Sequence, residues 1–112
     1  MKRSALARKE TFKLIDPVMA DPKHYSIEFE NDNVRVVRIK YGPHETSVMH
    51  DHPSGVVVFI TDLKSEFIFL DGTKEIVTAK AGESRWMDAF SHLSTNLSDK
   101  EMELLYIELK QW

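Results

Sequence analysis

From residue 25 onward, short apolar stretches alternate with polar turns. Residues 25–30 (YSIEFE) alternate apolar and polar side chains, and residues 34–41 (VRVVRIKY) are rich in β-branched residues; both patterns are typical of β-strands. Further strands are predicted over residues 47–50, 56–61, 66–70, 75–78, 84–87, 91–97 and 101–110. No helix-period segment lies between them, so the pattern favours an all-β sandwich or barrel over a parallel α/β sheet.

The turns between the strands are also visible in the sequence. Asp71-Gly72 predicts a two-residue hairpin, because this dipeptide favours the left-handed backbone of the tightest turns. The first 24 residues are weakly patterned: residues 4–12 are compatible with a turn or two of helix, and Asp-Pro pairs follow. We therefore predict an N-terminal arm over residues 1–24 and a single β-barrel domain over residues 25–112.

Composition narrows the class of protein. A chain of 112 residues with 42% hydrophobic and 29% charged residues is typical of one globular domain. The formal net charge of −3 gives no basic surface for nucleic acid. The longest apolar run, residues 56–60, is far too short to cross a bilayer, and no signal-peptide core is present, so we expect a cytoplasmic protein without a membrane partner.

The chain contains no cysteine. This excludes disulfides, thiolate zinc sites, iron–sulfur clusters and cysteine nucleophiles. Any metal ion must therefore be held by histidine, carboxylate or backbone oxygen.

Histidines provide the candidate metal ligands. His50 and His52 are two residues apart, so on a strand both side chains point to the same face, with α-carbons roughly 6.5–7 Å apart. Both rings can then reach one ion. Alone this pair is a weak signal, because one ring can equally be a core residue and the other solvated. His92, near the start of a later strand, strengthens the case.

These segments resemble the two sequence motifs of the cupin superfamily. His50 and His52 match the His-x-His of the first motif, and Gly82, His92 and Asn96 match the second, with a loop one residue shorter than usual. The resemblance spans roughly residues 28–109. It implies a single-domain cupin β-barrel, a double-stranded β-helix or jelly roll, with His50, His52 and His92 holding a metal ion inside.

The chain departs from the family pattern at several positions. Val57 stands where the family has a glutamate ligand, Asp88 where it has proline, and His44 where it has the leading glycine. A three-histidine set therefore remains. We expect Asp51 to point to the opposite face of its strand, Asp88 to have a small chance of reaching the site, and His44 to be a turn residue rather than a fourth ligand.

Three neutral imidazoles leave a divalent ion with its full charge, which favours an anionic, preferably bidentate ligand. Three protein ligands also leave open coordination positions, as in catalytic metal sites. Imidazole suits several transition metals. Iron is the first choice because the set resembles three-histidine iron cupins that cleave diketones or oxidise small thiols; zinc, nickel, manganese and copper are alternatives.

The remaining cavity is predicted to be small and largely apolar. The candidate lining residues, each also a candidate for ordinary core, are Val57, Phe59, Met87, Phe90 and Tyr106, with Met49 and Trp86 as further candidates. The sequence suggests no inward-facing Asp or Glu, no Ser–His–acid set and no phosphate-binding loop, so no catalytic residue is assigned beyond the metal ligands.

Two function classes stay open. The first is a mononuclear iron-type dioxygenase acting on a small anionic or enolisable organic molecule. The second is a non-catalytic barrel that binds a small ligand as a sensor or accessory protein, to which the departures from the family motif lend weight. Histidines that merely fill the core rank last, because unpaired buried imidazoles are costly. The resemblance and the open strand edges further predict a homodimer with residues 1–30 contributing.

Overall fold

The computed structural model describes residues 15–110 of the chain. One short helix, α1 (Pro17–Ala20), precedes the strands. Nine strands follow: β1 (Tyr25–Glu30), β2 (Val34–Tyr41), β3 (His50–His52), β4 (Gly55–Phe59), β5 (Leu63–Phe69), β6 (Lys74–Ala79), β7 (Ser84–Met87), β8 (Phe90–Asn96) and β9 (Met102–Leu109). The predicted helical turns at residues 4–12 lie outside the described residues, and no helix within residues 15–110 is long and apolar enough to cross a membrane.

The strands form two antiparallel sheets. One has the order β1-β2-β9-β4-β7 and the other the order β3-β8-β5-β6. The core lies between them: along β9, Met102, Leu104 and Tyr106 are buried while the residues between them are only partly buried. This period of two follows from the pleat of the strand. The all-β prediction is confirmed.

Strands β1, β2 and β7 have the predicted bounds, whereas other strands are displaced by a few residues. The strand expected over residues 47–50 instead covers His50–His52. Ser47 explains the shift, because its side-chain oxygen accepts a bond from the Ser94 amide at 3.0 Å. The regular β3–β8 ladder begins only at His50, which pairs with His92.

The Asp71-Gly72 turn differs from the predicted two-residue hairpin. Such a turn needs both residues in the left-handed region, but only Gly72, with φ of 88°, adopts it there. The Gly72 amide donates to the Phe69 carbonyl and the Phe69 amide to the Thr73 carbonyl, each at 2.8 Å. The connection is therefore longer, with glycine at the position where a side chain would be strained.

Between β3 and β4 the chain crosses from one sheet to the other. Gly55 makes this crossing possible, because a Cβ there would lie 2.1 Å from the Ile107 carbonyl oxygen and 2.7 Å from Tyr106 Cε1. A side chain at this position would therefore clash with β9. The last β3 residue, His52, is in this way held beside Tyr106.

A charged cluster anchors α1 to the sheets. Asp16 caps the helix by accepting from the Val18 amide at 3.0 Å, and its carboxylate also receives two bonds from Arg35. Arg35 bonds at the same time to the buried Glu108, at 2.7 and 3.2 Å. Residues 15–24, placed in the predicted arm, thus pack against the sheets; the domain boundary itself stays a prediction.

Candidate metal centre

Three histidines meet between the two sheets. His50 and His92 are directly paired across β3 and β8, and His52 lies two residues further along the same face of β3. Their exposed fractions are 0%, 4% and 4% for His50, His52 and His92. One nitrogen from each ring lies within 4.8 Å of the other two. The structure therefore brings together the three predicted ligands.

The hydrogen bonds of these rings fit metal ligation. His50 Nδ1 lies 2.7 Å from the Val48 carbonyl oxygen, which can only accept, so Nδ1 carries the proton and Nε2 keeps its lone pair. His52 Nε2 lies 2.9 Å from His50 Nε2. A carbonyl that orients the far nitrogen of a ligating histidine is common around metal sites.

Several other ring nitrogens are buried without a partner. His52 Nδ1 and both nitrogens of His92 have no hydrogen bond among residues 15–110. A buried polar atom without a partner costs on the order of 1–3 kcal/mol, so such atoms are rare in folded proteins. A divalent metal ion would accept lone pairs from all three rings. The donor set therefore fits a metal ion.

Burial also sets the protonation state of the rings. It lowers the pKa of His92 to about 2 and also lowers the pKa of His50. The pKa of His52 is lowered well below its usual value by burial, with further contributions from the neighbouring rings and Arg35. All three imidazoles are therefore neutral near pH 7, which is the form that binds metals.

The other residues considered as ligands lie elsewhere. Asp51 accepts from the Ile15 amide at 2.5 Å and from the Ser91 hydroxyl, on the opposite face of β3 as expected. Asp88 accepts from the Trp86 indole nitrogen at 2.9 Å. His44 is exposed in a turn with φ of 62° and bonds to Asp99. None of these three side chains belongs to the histidine cluster.

A largely apolar cavity adjoins the histidines. It holds about 510 Å³ of empty space, including its opening to solvent, and His52 and His92 form part of its wall. The five predicted pocket residues all line it: Val57, Phe59, Met87, Phe90 and Tyr106. Their role toward a ligand remains a prediction. Tyr106 stacks flat on His52, with ring centroids 4.9 Å apart, and donates its hydroxyl to the Pro53 carbonyl at 2.6 Å.

The two further pocket candidates do not line this cavity. Trp86 is 53% exposed, because the alternation of β7 turns Arg85 and Met87 inward instead. Met49 precedes β3 and is also absent from the cavity wall.

Arg85 was not selected from the sequence, yet it is the one permanently charged side chain among the described residues that line the cavity. Its guanidinium carbon lies 5.2 Å from the centre of the Phe59 ring, and Glu83 and the Thr78 carbonyl accept its hydrogen bonds. A single charged residue on a short strand carries no sequence signal for this role.

Tyr25 and Tyr41 were also missed. The Tyr25 hydroxyl lies 3.1 Å from His50 Nε2 and 2.5 Å from the Tyr41 hydroxyl. Burial raises the pKa of Tyr25 well above its usual value, with a further contribution from Tyr41, and burial raises the pKa of Tyr41 to about 12. Both phenols are therefore protonated near pH 7. Tyr25 precedes the region that resembles the family motifs.

The expectation of no inward-facing carboxylate is wrong. Glu108 continues the inward face of β9 beyond Tyr106 and is 4% exposed. Burial raises the pKa of Glu108, although the Arg35 charge opposes this. Because Glu108 is bonded to Arg35 and does not line the cavity, it leaves the chemistry of the site unchanged.

Similar solved structures identify the fold. A cupin domain from Bordetella pertussis has a TM-score of 0.72 and 24% identity, over 78% of this chain and 92% of that one. A cupin-2 domain protein from Shewanella frigidimarina has a TM-score of 0.53 and 16% identity, over 94% and 91%. An oxalate oxidase bound to the substrate analogue glycolate has a TM-score of 0.50 and 20% identity, over 66% and 40%.

No protein-family model and no curated protein sequence matches the chain. The structural similarities nevertheless show that the protein has the cupin fold, a jelly-roll β-sandwich, as its sequence motifs indicate. The three histidines occupy its interior as a possible metal site.

Proposed function

We propose that the protein is a mononuclear metal-dependent oxidoreductase of the iron dioxygenase type, acting on a small anionic or enolisable organic molecule. The observation that carries the proposal is the cluster of three buried imidazoles, three of whose nitrogens lack a partner among residues 15–110, beside a largely apolar cavity. His50, His52 and His92 would hold the ion. Bound iron would supply open positions for substrate and dioxygen together with redox chemistry.

The chain's own residues would bind and enclose the substrate. Val57 and Phe59 present apolar surface, which excludes water and strengthens electrostatic interactions within the cavity. Arg85 adds a permanent positive charge to the cavity wall, and the three neutral ligands add no negative charge. This charge balance favours an anionic molecule.

Metal analysis of untagged protein purified without oxygen tests the site. We expect near-stoichiometric iron in the native protein and in the control His44→Asn, which alters an exposed turn histidine and keeps a side chain that tolerates positive φ. His92→Ala should lose the metal. Oxygen uptake with diketones, small thiols and catechols then tests the activity.

The outcomes separate the function classes. Zinc or nickel at full occupancy would retain the site and weaken the dioxygenase assignment. Metal in none of the proteins would refute the enzyme and leave the second candidate, a small-ligand-binding or sensor barrel. Val57 supports this second candidate, because it places an apolar side chain where the family carries its carboxylate ligand.

We also propose that the protein forms a homodimer through the edge of β1. Ile27 and Phe29 on this strand are 45% and 53% exposed, and within residues 15–110 one edge of β1 pairs with no other strand, an arrangement that favours association. Light scattering coupled to gel filtration should give twice the chain mass at micromolar concentration. A monomer under these conditions would contradict the proposal.

A further inference from the structure

A buried pair of tyrosines adjoins the histidine cluster. Tyr25 and Tyr41 are 3% and 1% exposed, both line the cavity, and their hydroxyl oxygens are 2.5 Å apart. Tyr41 is fixed from behind, because its ring stacks on His24 with centroids 4.3 Å apart. His24 is in turn held by carboxylates on both ring nitrogens. The Tyr25 hydroxyl is therefore supported by a hydrogen bond to Tyr41, whose ring is held by stacking on His24.

The Tyr25 hydroxyl proton has two acceptors within reach, His50 Nε2 and the Tyr41 hydroxyl oxygen. His50 Nε2 has one lone pair, but the Tyr25 hydroxyl at 3.1 Å and His52 Nε2 at 2.9 Å both lie within hydrogen-bond distance of it. A metal ion bound to Nε2 would occupy that lone pair. When Tyr41 donates to Tyr25, the Tyr25 proton points toward His50 and would then have no acceptor on the ring.

The hydroxyl is nevertheless close to any ion held there. A metal–imidazole bond of about 2.1 Å and the 3.1 Å contact together limit the distance from the hydroxyl to about 5 Å. An atom bound to such an ion is the acceptor that remains within reach. Hydrogen bonds to anionic acceptors are also stronger than those to neutral ones.

We propose that Tyr25 donates a hydrogen bond to the anionic atom of a small ligand bound at the three-histidine site, and that Tyr41 is a positioning residue that orients the Tyr25 hydroxyl. This inference rests on the proposed metal site. It assigns Tyr25 a direct part in selecting anionic ligands over neutral ones.

Azide binding to the cobalt-loaded protein tests this role without requiring turnover. Cobalt content is measured by mass spectrometry, and azide affinity by titration of the visible cobalt absorption. We expect Tyr25→Phe to retain cobalt and to bind azide about tenfold more weakly, the loss expected for a hydrogen bond to a charged group. Tyr41→Phe should weaken azide about threefold, because it removes only the orienting bond.

The matched control is Ser65→Ala. Ser65 is a fully buried hydroxyl that bonds to Ser94 and to the Thr95 carbonyl rather than to the histidines. The azide affinity of the Ser65→Ala variant should equal that of the native protein. Equal weakening in the control would overturn the proposal, because it would show a general response to loss of a buried hydroxyl.

A second measurement uses the native protein alone, so it does not depend on the folding of any variant. The infrared stretch of bound azide should shift between H₂O and D₂O if a hydroxyl proton contacts it. Absence of that shift would overturn the proposal, as would Tyr25→Phe with full cobalt and unchanged or tighter azide binding. If Tyr25→Phe were the only variant to lose cobalt, Tyr25 would be a metal ligand, and this result would also overturn the proposal.

Failure of the proposed function gives a different result. If the native protein takes up no cobalt, the three-histidine site itself is refuted, and the Tyr25 role with it. Cobalt uptake without a Tyr25 effect refutes the Tyr25 role and leaves the metal site intact.

Discussion

His24 and His92 are both buried imidazoles, with exposed fractions of 6% and 4%, but their surroundings differ. His24 Nδ1 lies 2.8 Å from Asp21 and its Nε2 lies 3.0 Å from Glu45, so both nitrogens have partners. His92 has none among residues 15–110 and packs edge-on against Phe67 and the neighbouring histidines. Partner satisfaction, rather than burial, therefore distinguishes the structural His24 from the candidate ligand His92.

The largest expected effect is a loss of metal affinity when His92 is replaced, with no such loss when His24 is replaced. We expect His92→Leu to weaken metal binding at least about 100-fold, because it removes one of three ligands and leaves an apolar side chain in an apolar environment. His24→Leu should bind metal as the native protein does. Competition with a chromogenic chelator measures both affinities. Equal losses in the two variants would contradict the comparison.

The free energy of unfolding should fall more in His24→Leu than in His92→Leu, the reverse of the order expected for metal affinity. His24→Leu leaves the buried Asp21 carboxylate without its partner, so the free energy of unfolding should fall by about 2–3 kcal/mol. In metal-free protein His92→Leu should be neutral or slightly stabilising, because it removes two unpaired buried nitrogens at nearly constant volume. Urea denaturation of the metal-free proteins checks this order. A greater loss for His92→Leu would show that its ring has a structural partner.

The pH dependence of stability sharpens the contrast further. Burial lowers the pKa of His92 to about 2 from 6.5, so the unfolded chain binds a proton below pH 6.5 that the folded protein does not. The free energy of unfolding of metal-free protein should therefore fall as the pH decreases below that value. His92 contributes up to about 1.4 kcal/mol per pH unit to this loss.

Substitution of His92 isolates that contribution. Metal-free His92→Leu should lose stability less steeply than the native protein between pH 6 and 5, by up to about 1.4 kcal/mol per pH unit. Urea titrations at several pH values in that interval measure the slope. Identical slopes would mean that His92 is protonated in the folded protein.

The smallest expected effect concerns the charge in the cavity wall. Arg85→Gln should weaken binding of an anionic ligand such as azide to the metal-loaded protein about threefold, with metal content unchanged. The effect is small because Arg85 already pairs with Glu83 and because the Arg85 side chain is 35% exposed. Arg85→Lys, which retains the charge, is the matched control. Equal azide affinity in all three proteins would remove Arg85 from ligand selection.

Parts of the fold and site could be predicted because they depend on local patterns. Period-two alternation predicted the bounds of β1, β-branched content predicted those of β2, and the spacing of His50 and His52 placed both rings on one face. Val57 and Phe59 followed as wall residues of the next strand. The β3 boundary could not be predicted, because it depends on a Ser47 side-chain bond to the distant Ser94.

The sequence by itself determined the β-strand pattern, the neutral ligand set and the absence of thiolate chemistry, since these follow from residue type and near-neighbour spacing. Only the tertiary structure decided that His24 is satisfied while His92 is not, and that Tyr25 meets His50. These contacts join residues far apart in the chain. Cross-strand register and sheet packing set such distances, and neither is encoded in any short segment.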